Sequence, residues 1–154
     1  MASLVVADSG IFIKLVLEEP FSEQADQLIR QWSQQTTQVA APVLFQYEIV
    51  AVIRKHVYRK LLTAEEAAAK RDMLLTIAQT IRFEVDEKLL RRAYALAEQF
   101  NRPTTYDSQY LALAERLGCD FWTADERLFN AVRQDLNWVH WLGNMPAGIQ
   151  QPPP

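Results

Sequence analysis

Along the chain, apolar residues fall into short unbroken runs separated by longer stretches in which they recur every three or four positions. The run LVVA, Leu4 to Ala7, predicts a brief buried strand, and Gly10 to Leu17 a helix. Ser22 to Gln34 continues with helical spacing, and QVAA, Gln38 to Ala41, reads as a second strand. Pro42 is suited to the first turn of a helix running to about Lys60. Thr63 followed by Glu66 is a capping-box pattern that opens an Ala-rich helix to about Gln79. IRFEV is a weak strand, after which Asp86 is placed to cap a helix ending near Phe100. Tyr106 to Leu117 is a helix closed by Gly118, CDFWT a strand, Glu126 to Val132 a short helix and NWVHWL a last strand. Strands alternating with helices imply an α/β fold: a largely parallel sheet covered on both faces.

The 154 residues are 49% hydrophobic, enough for one core, and no internal repeat or linker divides them. We therefore expect one domain over residues 1–142 and a disordered tail over 143–154, which ends in GIQQPPP. The net charge of −3 excludes a uniformly basic nucleic-acid binder but leaves room for a locally basic rim. Cys119 stands alone, so no internal disulfide forms, and its place at the start of a strand marks it as a small core residue. MASLVVADSG has neither the basic start nor the apolar length of a signal peptide, and no apolar run approaches a membrane span. A cytoplasmic protein without a membrane partner is expected.

Four acids stand out from this pattern. Asp8 closes the first strand. The Tyr106–Leu117 helix travels roughly 18 Å and the following strand returns roughly 20 Å, which brings Asp107 and Asp125 to one end of the sheet. In a parallel sheet that end is the carboxyl edge, where ligands bind. Glu48 is the only charge between Val39 and Ile53, on a stripe with Leu44, Ala51 and Val52. Taken singly, each has an ordinary use. Asp125 and Asp8 are placed to cap the helices after them, Asp107 to favour its helix dipole, and Glu48 to pair with Arg54 or Lys55. Those uses do not explain why four carboxylates share an edge, where they repel and raise one another's pKa unless a cation sits among them. With no His or Cys in the set, the oxygen ligands favour Mg²⁺ or Mn²⁺, and such a site suits phosphodiester hydrolysis.

At these residues the sequence resembles the PIN-domain family, specifically the VapC-type ribonuclease toxins of prokaryotic toxin–antitoxin pairs. The matching pieces are VVADSGIFIKLVLEEP around Asp8, the Glu48 helix, TYDSQYLALAERLG around Asp107 and FWTADERL around Asp125. The resemblance extends to about Trp141. It implies a three-layer α/β/α sandwich and an endoribonuclease dependent on Mg²⁺ or Mn²⁺. Asp8, Glu48, Asp107 and Asp125 map onto the acidic quartet of the family, as catalytic and metal-holding residues, and Thr123 onto its small hydroxyl. Ser108 departs from the alanine of many relatives. A homodimer and an antitoxin that enters the active-site groove are also implied.

For RNA, the densest basic run is RKHVYRK, from Arg54 to Lys60. Arg54 and Lys55, with Lys14 and Arg102, are the candidate contacts, and Arg91 and Arg92 are further cations. The run also serves as an ordinary solvated helix end. Trp122, Trp138 and Trp141 lie in strand positions, which favours core packing over base stacking. Rival readings are a PIN-fold RNA-processing nuclease that is not a toxin and a scaffold that binds RNA or a partner without cutting. A dehalogenase-type phosphatase needs a second acid two residues beyond Asp8, where Gly10 stands, and the paired acids and late lysine of a receiver domain are missing. A metal-free ribonuclease would need His56 and His140 to meet, and they belong to distant elements.

Overall fold

The computed structural model describes residues 3–146. Five strands, β1 (Leu4–Ala7), β2 (Gln38–Pro42), β3 (Arg82–Glu84), β4 (Asp120–Thr123) and β5 (Val139–Trp141), form one sheet in the order β3-β2-β1-β4-β5. Every pairing is parallel, with Val6 opposite Ala40 on one side and Phe121 on the other. Seven helices cover the faces: α1 (Ser9–Ile13), α2 (Ser22–Gln34), α3 (Leu44–Tyr58), α4 (Ala64–Ala78), α5 (Glu87–Gln99), α6 (Tyr106–Leu117) and α7 (Glu126–Val132). The fold is therefore α/β, a three-layer sandwich around a wholly parallel sheet.

The chain builds outward from β1 through β2 to β3, then returns to the other side of β1 with β4 and β5. That reversal places the switch point between β1 and β4, where crossovers leave in opposite directions and open a crevice beyond the strand ends. The central strand is fully apolar, with Val5, Val6 and Ala7 buried against Leu111, Leu113 and Ala114 in the same core. Burying both faces of β1 leaves its carboxyl end as the first place a polar side chain is able to emerge.

Local signals work largely as expected. At the start of α4 the Glu66 N–H donates to the Thr63 hydroxyl and the Thr63 N–H to the Glu66 carboxylate, Asp86 accepts from Leu89 N at the start of α5, and Gly118 ends α6 with φ 62°. Two boundaries differ. Pro42 does not open a helix but completes β2, paired with Glu84, and α3 begins at Leu44. The first helix runs from Ser9 only to Ile13 and relaxes into turns through Leu17, ahead of Pro20. At the carboxyl end, a 3₁₀ turn over Leu142–Asn144 and the packing of Met145 on the core continue the fold past residue 142. The tail expected to be disordered otherwise falls on residues 147–154, outside those described. No described helix is long and apolar enough to cross a membrane.

Candidate active site

Asp8 leaves the end of β1 and its backbone N–H still donates to Trp122 O, so the carboxylate is fixed across the switch point. Oδ1 accepts from Ile11 N at 3.2 Å, capping α1, while Ala124 N donates to Oδ2 at 3.1 Å. The Thr123 hydroxyl also donates to Oδ2, and Thr123 itself is completely buried. Thr123 Oγ1 in turn accepts from Asp125 N at 2.9 Å, so one hydroxyl ties the first acid to the last. Gly10 permits the approach, because a Cβ there would lie 3.1 Å from that of Ala124 and 3.3 Å from Asp8 Oδ1. Part of Asp8 reaches solvent, yet the carboxylate is crowded by these groups, and that crowding governs its titration. Burial raises its pKa to about 7, against the lowering effect of the Thr123, Ala124 and Ile11 hydrogen bonds, and the charge of Glu48 adds to the rise.

Glu48 projects from α3, where Tyr110 Oη donates to its Oε1 at 2.6 Å. Burial raises the pKa of Glu48, hydrogen bonds from Tyr110 and Ser9 oppose the rise, and the charge on Asp107 reinforces it. Tyr110 is 2% exposed and stacks on Phe121 with ring centroids 5.7 Å apart. Its own pKa is pushed well up by burial and by Glu48, so the phenol keeps its proton and remains a donor. Asp107 sits in the first turn of α6, with its pKa raised by burial and by Asp125 and held down by Arg102. Asp125 caps α7, its Oδ1 accepting from Arg127 N at 2.9 Å and Leu128 N at 3.2 Å. The capping role foreseen for it is thus observed, and its Oδ2 receives no donor among the described residues.

Four carboxylates thus act on one another in sequence along the carboxyl edge, Asp8 with Glu48, Glu48 with Asp107 and Asp107 with Asp125. The PIN domain family matches residues 5–134 by its sequence profile. This chain belongs to the PIN domain family. A relative of this PIN chain, ribonuclease VapC3 of Pyrobaculum aerophilum, is 31% identical over 80% of the chain and 91% of its own length. Among solved structures, one from Pyrobaculum aerophilum covers 93% of each chain at 21% identity and TM-score 0.66. A toxin–antitoxin complex from Klebsiella pneumoniae covers 88% of this chain and 95% of its own at 18% identity and TM-score 0.62. Those two likenesses concern the fold.

The PIN edge offers oxygen donors only, the set suited to a hard divalent ion. Among the described residues no three acidic, His or Cys side chains stand close enough to close on one ion as placed. Pairs of carboxylates are what the edge presents, and Mg²⁺ takes one or two, filling its other positions with water and phosphate oxygens. The donor chemistry therefore fits. A cavity of about 520 Å³ lined by Phe12, Trp32, Val39, Ile77 and Ile81 lies at the opposite, amino end of the strands, and no member of the quartet lines it.

The candidate RNA contacts are dispersed over this PIN fold. Lys14 is 11% exposed and pairs with Glu19 at 3.4 Å. Arg91 and Arg92 bind Glu87 and Glu115 on the helix surface. Arg54 and Lys55 are exposed, with no ion pair among the described residues, but α3 carries them roughly 9 Å or more beyond Glu48. Only Arg102 reaches the quartet, at 3.4 Å from Asp107. Trp122 and Trp138 pack on the core, as their strand positions require, and Cys119 is half-buried there with its thiol pKa raised by burial. His56 Nδ1 bonds Val52 O, whereas His140 pairs with Asp120. The sequence pattern missed Tyr110 and Ser9: a tyrosine in an apolar helical stripe reads as core, and only the hydroxyl betrays a polar partner.

Proposed function

We propose that this PIN chain is an endoribonuclease of the toxin type, hydrolysing RNA phosphodiester bonds at the edge formed by Asp8, Glu48, Asp107 and Asp125 with Mg²⁺ or Mn²⁺. The observation that carries this reading is the electrostatic chain of four carboxylates at the switch point of a parallel sheet. Such mutual repulsion has a purpose where a cation is to be held. The name of the Pyrobaculum relative supports ribonuclease chemistry, and the Klebsiella complex supports an antitoxin partner.

Asp8, Glu48, Asp107 and Asp125 are the residues that would hold a divalent ion, which would supply polarisation of the phosphoryl group and activation of a water. The remaining residues orient the acids. Thr123, Ala124 and Ile11 hold Asp8, Tyr110 and Ser9 hold Glu48, and the start of α7 holds Asp125. Because α3, α6 and the β1 and β4 ends each supply one acid or its support, RNA would lie across the top of the sheet rather than in an enclosed pocket. We extend the proposal to an antitoxin that covers this edge and to a homodimer.

The test is cleavage of end-labelled structured RNA by the partner-free chain in Mn²⁺, in Mg²⁺ and in EDTA, beside Asp107→Asn. Metal-dependent cleavage that Asp107→Asn abolishes is expected, together with growth arrest on expression of the wild type alone. A folded wild type that binds metal and cuts no RNA, ribosomal and transfer RNA included, would overturn the proposal.

A further inference from the structure

We propose that Arg102 is the resident counter-ion of the acid edge: its guanidinium holds Asp107 while no divalent ion is bound, and the ion must displace it. This inference rests on the metal-dependent reading above and deepens it. The backbone presents Arg102 rather than leaving it in a mobile loop. After α5 ends, Asn101 takes the left-handed conformation at φ 50°, Asn101 N donates to Glu98 O at 3.2 Å and Arg102 N to Ala97 O at 2.7 Å. Those paired bonds are a Schellman closure, which fixes the direction in which the chain leaves the helix. Pro103 follows and narrows the conformations open to Arg102. The arginine is thereby clamped from both sides and set against the first turn of α6.

Its side chain shows what the position is for. Arg102 is 18% exposed, unusual for a cation whose only ion pair, among the described residues, is one long contact of 3.4 Å to Asp107 Oδ2. Its Nε is buried and has no hydrogen-bond partner. A guanidinium has five donors in a fixed fork, so this one is held near a carboxylate with most of its bonding unspent. A permanent structural pair would close bidentately, as Arg116 does on Asp86 at 2.7 and 2.8 Å. The loose contact instead suits a cation that offsets the repulsion between Asp107 and Asp125 and gives way. Arg102 is in these terms a positioning residue, and its charge weakens the site for any other cation.

Mn²⁺ binding to the partner-free chain, read from the electron paramagnetic resonance of free Mn²⁺ at neutral pH, tests this directly. Arg102→Gln, confirmed folded by a cooperative melt, should bind Mn²⁺ about tenfold tighter or more than the wild type, since a fixed positive charge is gone. Arg102→Lys, which keeps the charge, should stay within about threefold of it. In the wild type, the Arg102 Nε–H resonance should shift on Mg²⁺ titration with the same midpoint as binding, a readout independent of any variant. Equal or weaker binding by Arg102→Gln, or an unmoved Nε–H while Mg²⁺ binds, overturns the counter-ion and leaves the nuclease reading standing. An Arg102→Gln that loses RNA affinity at unchanged Mn²⁺ affinity makes the residue a phosphate contact and also overturns it. Failure of both wild type and variant to bind Mn²⁺ sinks the metal reading together with this one.

Discussion

Replacing Asp8 with asparagine should stabilise the protein at alkaline pH while destroying its activity. The carboxylate is crowded by Thr123, Ala124 and Ile11, and burial raises its pKa from 3.8 to about 7. The sign follows from proton binding. Between those two values the folded chain holds a proton that the unfolded chain releases, so stability falls as pH rises through this window and stays low above it. That rise corresponds to at most about 4 kcal/mol, of which roughly 2–3 kcal/mol is lost between pH 5 and pH 8. Asparagine does not titrate, but its amide presents a donor to groups that are themselves donors, at about 1 kcal/mol per lost bond. Urea unfolding in EDTA should therefore find Asp8→Asn about equal to the wild type at pH 5 and roughly 2 kcal/mol more stable at pH 8. Equal pH slopes for the two proteins would mean that Asp8 carries no burial penalty and that its proton does not govern this pH dependence. Mg²⁺ should reverse the ranking at pH 8 by binding the folded wild type alone.

Other substitutions probe the supports. Tyr110→Phe keeps the stack on Phe121 but removes the donor to Glu48, so cleavage should fall about 10–100-fold, with folding changed by only about 1–2 kcal/mol. Because that bond lowers the Glu48 pKa, the acid limb of the pH–rate profile should also move to higher pH. Thr123→Val should uncouple Asp8 from Asp125, raising the Asp8 pKa further and destabilising the metal-free protein by about 1–3 kcal/mol at pH 8 in denaturant melts. Ser108 is fully buried and its hydroxyl lacks a partner, so Ser108→Ala should raise stability by about 1 kcal/mol, seen as a higher urea midpoint without loss of cleavage.

The layout of the sheet and the edge acids was legible because it depends on local and nearly local rules. The α6–Gly118–β4 hairpin sets Asp107 and Asp125 at one end through two matched lengths, and Gly118 adopts its left-handed turn. Caps at Thr63 and Asp86 announce their helices in adjacent residues. What stayed hidden depends on contacts between distant parts of the chain. The Tyr110–Glu48 bond spans 62 residues and joins two helices whose crossing no periodicity specifies. Pro42 fits either a helix start or a strand end, and only its pairing with Glu84 in β3 decides between them. Arg102 likewise looked like one surface cation among several until the closure of α5 turned it toward Asp107. Lys14, close to Asp8 in sequence, instead turns to Glu19.

Anomalous scattering from crystals of the protein soaked in Mn²⁺ locates the cation at the acid edge without any substrate. A peak should appear among Asp8, Glu48, Asp107 and Asp125 and be lost in crystals of Asp107→Asn. A peak bound elsewhere, or a bare acid edge at saturating Mn²⁺, would contradict a metal site on these four carboxylates.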